Sequence, residues 1–120
     1  MCAVVLTNNG EAWIVDKLNE LDQTTPDWIA WGTGTGTASK ADTNLFGPTS
    51  EARVQGTMSQ PSADVLQIVG TITADGSKTI TESGLFNASA GGTLITHADF
   101  TGITVASGDK IEFTWRIEIS

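Results

Sequence analysis

The stretch KIEFTWRIEIS, residues 110–120, decides the fold of this chain. Apolar side chains occupy every odd position from Ile111 to Ile119, and polar or charged side chains occupy the even positions. Successive side chains of a strand point to opposite faces, so the stretch has one apolar and one polar face. Such alternation is typical of an antiparallel sheet with one face in the core. A slip of one residue would expose two aromatics and three isoleucines, so we expect a strongly specified register.

Size and charge narrow the possible partners. The chain has 120 residues, which suits a single domain, and a net charge of -8, from 14 acidic and 6 basic residues. An acidic surface argues against a nucleic-acid partner, because phosphate binding needs a basic footprint. Cys2 is the single cysteine, so no intrachain disulfide is expected. No apolar run near the N-terminus is long enough for a signal peptide or a membrane span, which predicts a soluble protein without a membrane partner.

Residues 8–22 are predicted to form the single helix. Asn8 and Glu11 fit a capping box, in which each side chain satisfies a free backbone amide of the first turn. Ile14, Leu18 and Leu21 then follow at helical spacing, with Trp13 beside them. This narrow apolar stripe predicts a helix that covers one end of a β domain. The alternative is a helix that docks on another subunit.

Two tryptophans lie in a short predicted strand, residues 27–32. Trp28 and Trp31 are three positions apart, so they project from opposite faces. One of them can enter the core. The other needs a second cover, from the helix or from a partner.

A glycine-rich segment follows this strand. Glycine and threonine alternate over residues 32–37, and the chain stays small and polar as far as Asn44. Such a loop can hold a phosphate, but no helix follows and Lys40 is poorly placed, so we do not expect a phosphate site. We expect a long surface loop that becomes ordered against a neighbour.

The rest of the chain is predicted to be a series of short strands, over residues 51–59, 65–74, 78–87, 93–100, 102–106 and 110–119. Pro61 should break pairing at a sheet edge, and Asp75-Gly76 predicts a hairpin. Gly84 predicts a bulge between Ile80 and Leu85, which would lie on opposite faces.

Strands of this length and spacing predict a mainly β, single-domain antiparallel sandwich or barrel, jelly-roll or immunoglobulin-like, over residues 1–120. The helix takes residues 8–22, and strands and loops take residues 27–120.

No set of residues with catalytic or metal-binding spacing is evident. His97 is the single histidine, and Asp99 shares its strand face, so the two could pair, but a polar, solvated strand face is the simpler interpretation. One histidine and one cysteine cannot make a zinc site, and the carboxylates lack calcium-loop spacing. We therefore expect no catalytic residue, no cofactor and no metal. A small cell-wall hydrolase is one function that we consider, behind the two structural functions described below.

From Trp28 onward the chain resembles a family of small structural proteins of tailed bacteriophages. Each matching segment is short, and the resemblance rests on their order and spacing. The segments are Trp28 to Thr35, Asp42 to Phe46, Ala52 to Val54, Thr79 to Asn87, Gly91 to Leu94 and Ser107 to Trp115.

The resemblance implies a structural virion protein, made in the host cytoplasm and then located in the virion. The chain is similar to capsid decoration, or cement, proteins, which bind as trimers to the shell formed by the major capsid protein. The alternative is a tail-fibre or baseplate-associated module that binds a receptor or a carbohydrate. Fibre proteins usually add a stalk or repeats, so the resemblance favours the cement function.

We also predict a homotrimer, because the chain carries more aromatic surface than one sandwich core needs. Tryptophan is a frequent anchor of interfaces, and glycine permits close approach of a neighbouring backbone. The predicted interface residues are Trp13, Trp28, Trp31, Gly34, Thr35 and Gly36.

Overall fold

A computed structural model describes residues 3–119 as two antiparallel sheets packed face to face, with one helix. The elements are β1 (Ala3–Leu6), α1 (Asn8–Leu18), β2 (Trp28–Gly32), β3 (Val54–Gln55), β4 (Thr57–Ser62), β5 (Val65–Thr73), β6 (Lys78–Phe86), β7 (Leu94–Val105) and β8 (Lys110–Glu118). The larger sheet has the order β1-β7-β6-β2-β3, and the smaller has the order β4-β5-β8. The predicted mainly β sandwich with one N-terminal helix is confirmed. Cys2 and Ser120 lie outside the described residues.

Strand β8 has the predicted alternation and register. It pairs with β5 without interruption, from Val65 opposite Glu118 to Thr73 opposite Lys110. Trp115 is buried in the core, and the apolar residues on either side of it pack against that core. The charged residues of β8 are exposed. Hydrophobic burial on one face therefore sets the register, as the alternation predicts.

The main core fills the space between the two sheets. Its members come from both sheets and from α1, and the most deeply buried are branched aliphatic side chains, which suit a pleated surface. The fully buried ones are Ile29, Ile68, Ile72, Ile80, Leu85 and Ile95.

The predicted hairpin at Asp75-Gly76 is wrong. Strand β5 belongs to the smaller sheet and β6 to the larger, so this turn carries the chain from one sheet to the other. It pairs with the turn between β7 and β8: the Ala74 N–H donates to the Asp109 carbonyl at 2.8 Å, and the Gly108 N–H donates to the Ala74 carbonyl at 2.9 Å. The turn between β5 and β6 therefore pairs with the turn between β7 and β8, and the two strands that flank Asp75-Gly76 do not form a hairpin.

The bulge of β6 lies elsewhere than predicted. Gly84 itself pairs regularly with His97, and the register shifts on either side of it, between Ile80 and Glu82 and between Leu85 and Phe86. The alternation is reversed between Ile80 and Leu85, so both enter the main core instead of lying on opposite faces. The two strands predicted over residues 93–106 are the single strand β7.

Helix α1 is capped by Thr7 rather than by Asn8, and it ends at Leu18 rather than at residue 22. The Thr7 hydroxyl accepts from the Gly10 N–H at 2.9 Å and donates to the Leu94 carbonyl at 2.6 Å. A Cβ on Gly10 would lie 2.3 Å from the Ile95 carbonyl oxygen, so the helix packs directly on the backbone of β7. This contact confirms that the helix covers the β domain.

The side chain of Glu51 links β2 to the Asp75-Gly76 turn, where the chain passes from the smaller to the larger sheet. Glu51 accepts from the Trp31 Nε1–H at 3.0 Å, from the Asp75 N–H at 3.0 Å and from the Lys78 ammonium. Burial raises the pKa of Glu51, but these donors outweigh it and hold the pKa well below its usual value.

Trp115→Ala is expected to lower the free energy of unfolding by about 3–5 kcal/mol, because it removes the largest side chain of the β8 core face. Glu118→Ala, on the exposed face of the same strand, should change it by less than about 0.5 kcal/mol. Chemical denaturation measures both. Equal midpoints for the two variants would contradict the assignment of the core face.

Glu51→Gln is expected to cost about 1–3 kcal/mol at neutral pH, since it weakens a charged acceptor with several donors. The pKa of Glu51 is lowered in the folded state, so its contribution is complete above the unfolded-state value and is lost as the pH falls toward the folded value. The stability difference between wild type and variant should therefore shrink in acid. A difference that stays constant in denaturation curves from pH 7 to strongly acidic conditions would refute the ionised role, and Glu20→Gln serves as the exposed control.

Candidate functional site: a clasped loop and an apolar groove

The long loop over residues 33–53 forms a third layer on the outer face of the larger sheet. Trp31 points inward and is 2% exposed, whereas Trp28 points outward and is half-buried. Trp28 packs on a second apolar cluster, and Leu45 brings the loop onto that cluster. The second cover expected from the helix or a partner is therefore this chain's own loop. The remaining members of the second cluster are Ala30, Phe86 and Leu94.

The carboxylate of Glu82 fastens the loop to the sheet. Glu82 is fully buried, and it accepts backbone N–H groups from Gly34 at 3.0 Å, Phe46 at 2.8 Å and Gly47 at 2.7 Å. Convergent backbone amides of this kind form anion-binding concavities. Here the anion is supplied by the chain itself, so the loop does not depend on a neighbour for its ordering contacts, contrary to expectation.

Two glycines allow both ends of the loop to reach the same carboxylate. A Cβ on Gly34 would lie 2.4 Å from the Gly47 nitrogen, and a Cβ on Gly47 would lie 2.6 Å from the Gly34 nitrogen. Neither position has room for a side chain. The glycine-rich pattern thus serves a close approach of two backbone segments.

His97 connects Glu82 to the loop through Asp42. Its ring is fully buried, with Nδ1 2.7 Å from the Asp42 Oδ2 and Nε2 2.8 Å from the Glu82 Oε1. The two contacts need two protons, because neither an ionised carboxylate nor a bare ring nitrogen can donate. The Phe46 ring covers the histidine, with the ring centres 4.7 Å apart.

His97 and Asp99 do not pair with each other, and the polar strand face that carries them is buried. Both side chains are buried beneath the loop, and Asp99 accepts instead from the Ala38 N–H at 2.6 Å and the Ala3 N–H at 3.3 Å. Asp99 therefore ties the loop and the β1 edge to the same sheet face. We name the set Glu82, His97, Asp42 and Asp99 the loop clasp.

Within the loop clasp, His97 has no ring nitrogen free for proton transfer. Both ring nitrogens of His97 already face carboxylates, whereas a general base needs one nitrogen available to a substrate. Over residues 3–119, no group of three or more histidine, cysteine or acidic side chains could hold a metal ion. No helix in that range is long and apolar enough to span a membrane.

An apolar groove opens between α1 and the smaller sheet. Its volume is about 540 Å³, and its lining is almost entirely apolar. Ile14 lies at its helical wall, and Leu18, one turn further on the same face, is 79% exposed. Ile119, at the other wall, is 67% exposed. We call this surface the helix groove; its lining residues are Trp13, Ile14, Gln60, Ala63, Asp64, Val65, Leu66, Ile117 and Ile119.

The six predicted interface residues lie in several different surroundings. Trp13 lines the helix groove, with its Nε1–H donated to the Thr24 hydroxyl at 2.9 Å. Trp31 is in the main core and Trp28 in the second cluster. Gly34, Thr35 and Gly36 border a separate surface pocket of about 150 Å³. The interface role of the set stays a prediction, and Trp31 has little surface to offer a partner.

Glu82 and Asp42 were not identified from sequence, because an acidic residue within a strand or a polar loop is ordinarily exposed. The sequence does contain a hint. A loop rich in glycine leaves many backbone amides without partners, and a nearby carboxylate can satisfy several at once.

Comparison with known proteins finds no protein-family model, no curated protein and no solved structure that matches this chain.

Glu82→Ala should lower the free energy of unfolding by about 3–5 kcal/mol, because it leaves His97 and three backbone amides without their buried acceptor. Hydrogen exchange at Gly34, Phe46 and Gly47 should accelerate more than exchange in β5. Glu20→Ala, at an exposed position after α1, is the control and should change neither. Unaltered exchange in the loop of Glu82→Ala would show that the clasp is not what orders it.

Proposed function

We propose that this chain is a structural virion protein of a tailed phage that decorates the capsid by binding the shell of major capsid protein. The protein would be made in the host cytoplasm and then join the particle. In this proposal the protein has no catalytic role and acts by binding other proteins through its surface.

Three of the six segments that carry the resemblance meet on the outer face of the larger sheet, which supports the proposal. Residues 28–35 form β2 and the start of the loop, residues 42–46 supply Asp42 and the Phe46 N–H, and residues 79–87 supply Glu82. Segments distant in sequence thus build one covered layer.

The helix groove is the observation that carries a binding function. Contiguous exposed apolar surface of this kind commonly marks a protein interaction site. Val15, Leu18 and Leu21 add exposed apolar surface on and after α1, at 54%, 79% and 75%. We assign the groove to contact with the capsid protein.

Mass action gives such a protein its effect on the shell. A protein that binds the assembled shell better than the free subunit shifts the equilibrium toward assembly. Repetition over many symmetric sites lets modest contacts add up. A three-fold assembly, as the sequence predicts, would engage several subunits at once and raise this avidity further.

Leu18→Glu is expected to abolish binding to capsid shells that lack this protein, because it places a charge beside the helix groove. Val4→Glu, at an equally apolar position that is 67% exposed on β1, is the matched control and should bind like wild type. The measurements are bound copies per particle and the temperature of shell disassembly. Saturation at hundreds of copies with wild type supports decoration.

Saturation at a few to a few dozen copies, confined to the tail, would overturn the capsid assignment. It would favour the alternative, a tail module that binds a receptor or a carbohydrate. Equal loss of binding in Leu18→Glu and Val4→Glu would overturn only the assignment of the groove, and the capsid assignment would stand.

A further inference from the structure

The outer edge of β8 is the most exposed pairing surface of the two sheets. Strand β8 is the last strand of the smaller sheet, and among the described residues only β5 pairs with it. It is 9 residues long, contains neither proline nor glycine, and keeps an unbroken register. An edge of this kind is a ready template for another strand.

The other three sheet edges are protected by ordinary means. Strand β1 has 4 residues and β3 has 2, which is too short to recruit a partner readily. Strand β4 contains Pro61, and its register shifts between Ser59 and Ser62. Strand β8 is not short and has no proline or register shift, so its charged side chains are the feature that decides what it can pair with.

We propose that two copies of this chain pair through β8, antiparallel, across a two-fold axis at Thr114. The two smaller sheets then join into one sheet of six strands. In this register Lys110 faces Glu118 of the second copy, and Glu112 faces Arg116. The two-fold axis makes each of these oppositely charged pairs twice, and directly opposed charges of unlike sign stabilise a strand pair.

Among the registers that keep the apolar faces together and pair at least five residues of each strand, no other avoids a like-charge contact. A shift of two residues in one direction brings Lys110 opposite Arg116, and a shift in the other direction brings Glu112 opposite Glu118. A shift of four residues places Glu112 or Arg116 opposite its own copy. Shifts by an odd number set exposed charges against inward apolar residues, which the sheet periodicity disfavours.

The inward face agrees with the same register. Ile111 faces Ile117 across the axis, and Phe113 faces Trp115. Ile111, Phe113 and Ile117 are only partly buried in the single chain, so pairing extends the cover over each core. Apolar residues thus meet apolar residues on one face, and opposite charges meet on the other.

This two-fold contact goes beyond the capsid proposal and does not rest on it. None of the residues predicted for the three-fold interface belongs to β8, whereas Ile117 both lines the helix groove and faces Ile111 of the second copy. The net charge of -8 on each chain opposes association, and the self-complementary edge must overcome it.

Sedimentation equilibrium up to high micromolar concentration tests the contact with two opposite charge reversals. Arg116→Glu sets two glutamates opposite each other and changes the net charge from -8 to -10. Glu112→Arg sets two arginines opposite each other and changes it from -8 to -6. Each should weaken the dimer by at least about tenfold, because each repulsion occurs twice.

The double variant, with Glu112→Arg and Arg116→Glu together, restores opposed unlike charges at a net charge of -8 and should restore the dimer. Arg116 also donates its Nε–H to the Gln67 Oε1 at 2.8 Å, so denaturation curves must first show that every variant is folded. Weakening by both single variants and recovery in the double variant supports the register. A wild-type monomer, opposite effects of the two single variants, or an oligomer indifferent to all three would overturn it.

Discussion

The covered outer face of the larger sheet depends on one buried carboxylate, that of Glu82. A buried charge is costly unless it is paired and hydrogen-bonded, and Glu82 accepts three backbone N–H groups and a contact from His97. Those donors come from both ends of the long loop and from the neighbouring strand. The loop is therefore held as a layer, and the sheet can keep an apolar cluster on a face that would otherwise meet water.

Hydrophobic alternation was enough to predict the fold class and the best strand. The period-two pattern of β8 and the break in pairing at Pro61 both follow from local physics. The conformation at Asp75-Gly76 could not be predicted in this way, because the segment is hydrogen-bonded to the turn before β8, which is distant in sequence. A local hairpin signal cannot show which sheet the next strand will join.

The loop clasp was out of reach for a related reason. Assigning His97 and Asp99 to a face needs an unbroken alternation, but β6 and β7 have register shifts on both sides of the clasp. The partners of His97 are 15 and 55 residues away, and one of them lies in a loop without periodicity. Its two acidic partners are also of the type that sequence reasoning places in water. Only the three-dimensional meeting of strand and loop reveals them as a buried set.

The two sheets differ in how much of their bonding capacity is satisfied within the chain. The larger sheet is covered by the core on one face and by the clasped loop on the other, and its edge strands β1 and β3 are short. The smaller sheet has an uninterrupted outer edge in β8 and borders the helix groove. Backbone groups and apolar side chains that remain without partners gain most from association. The side of the molecule formed by the smaller sheet and α1 is therefore the side from which binding to copies or to other proteins is expected to arise.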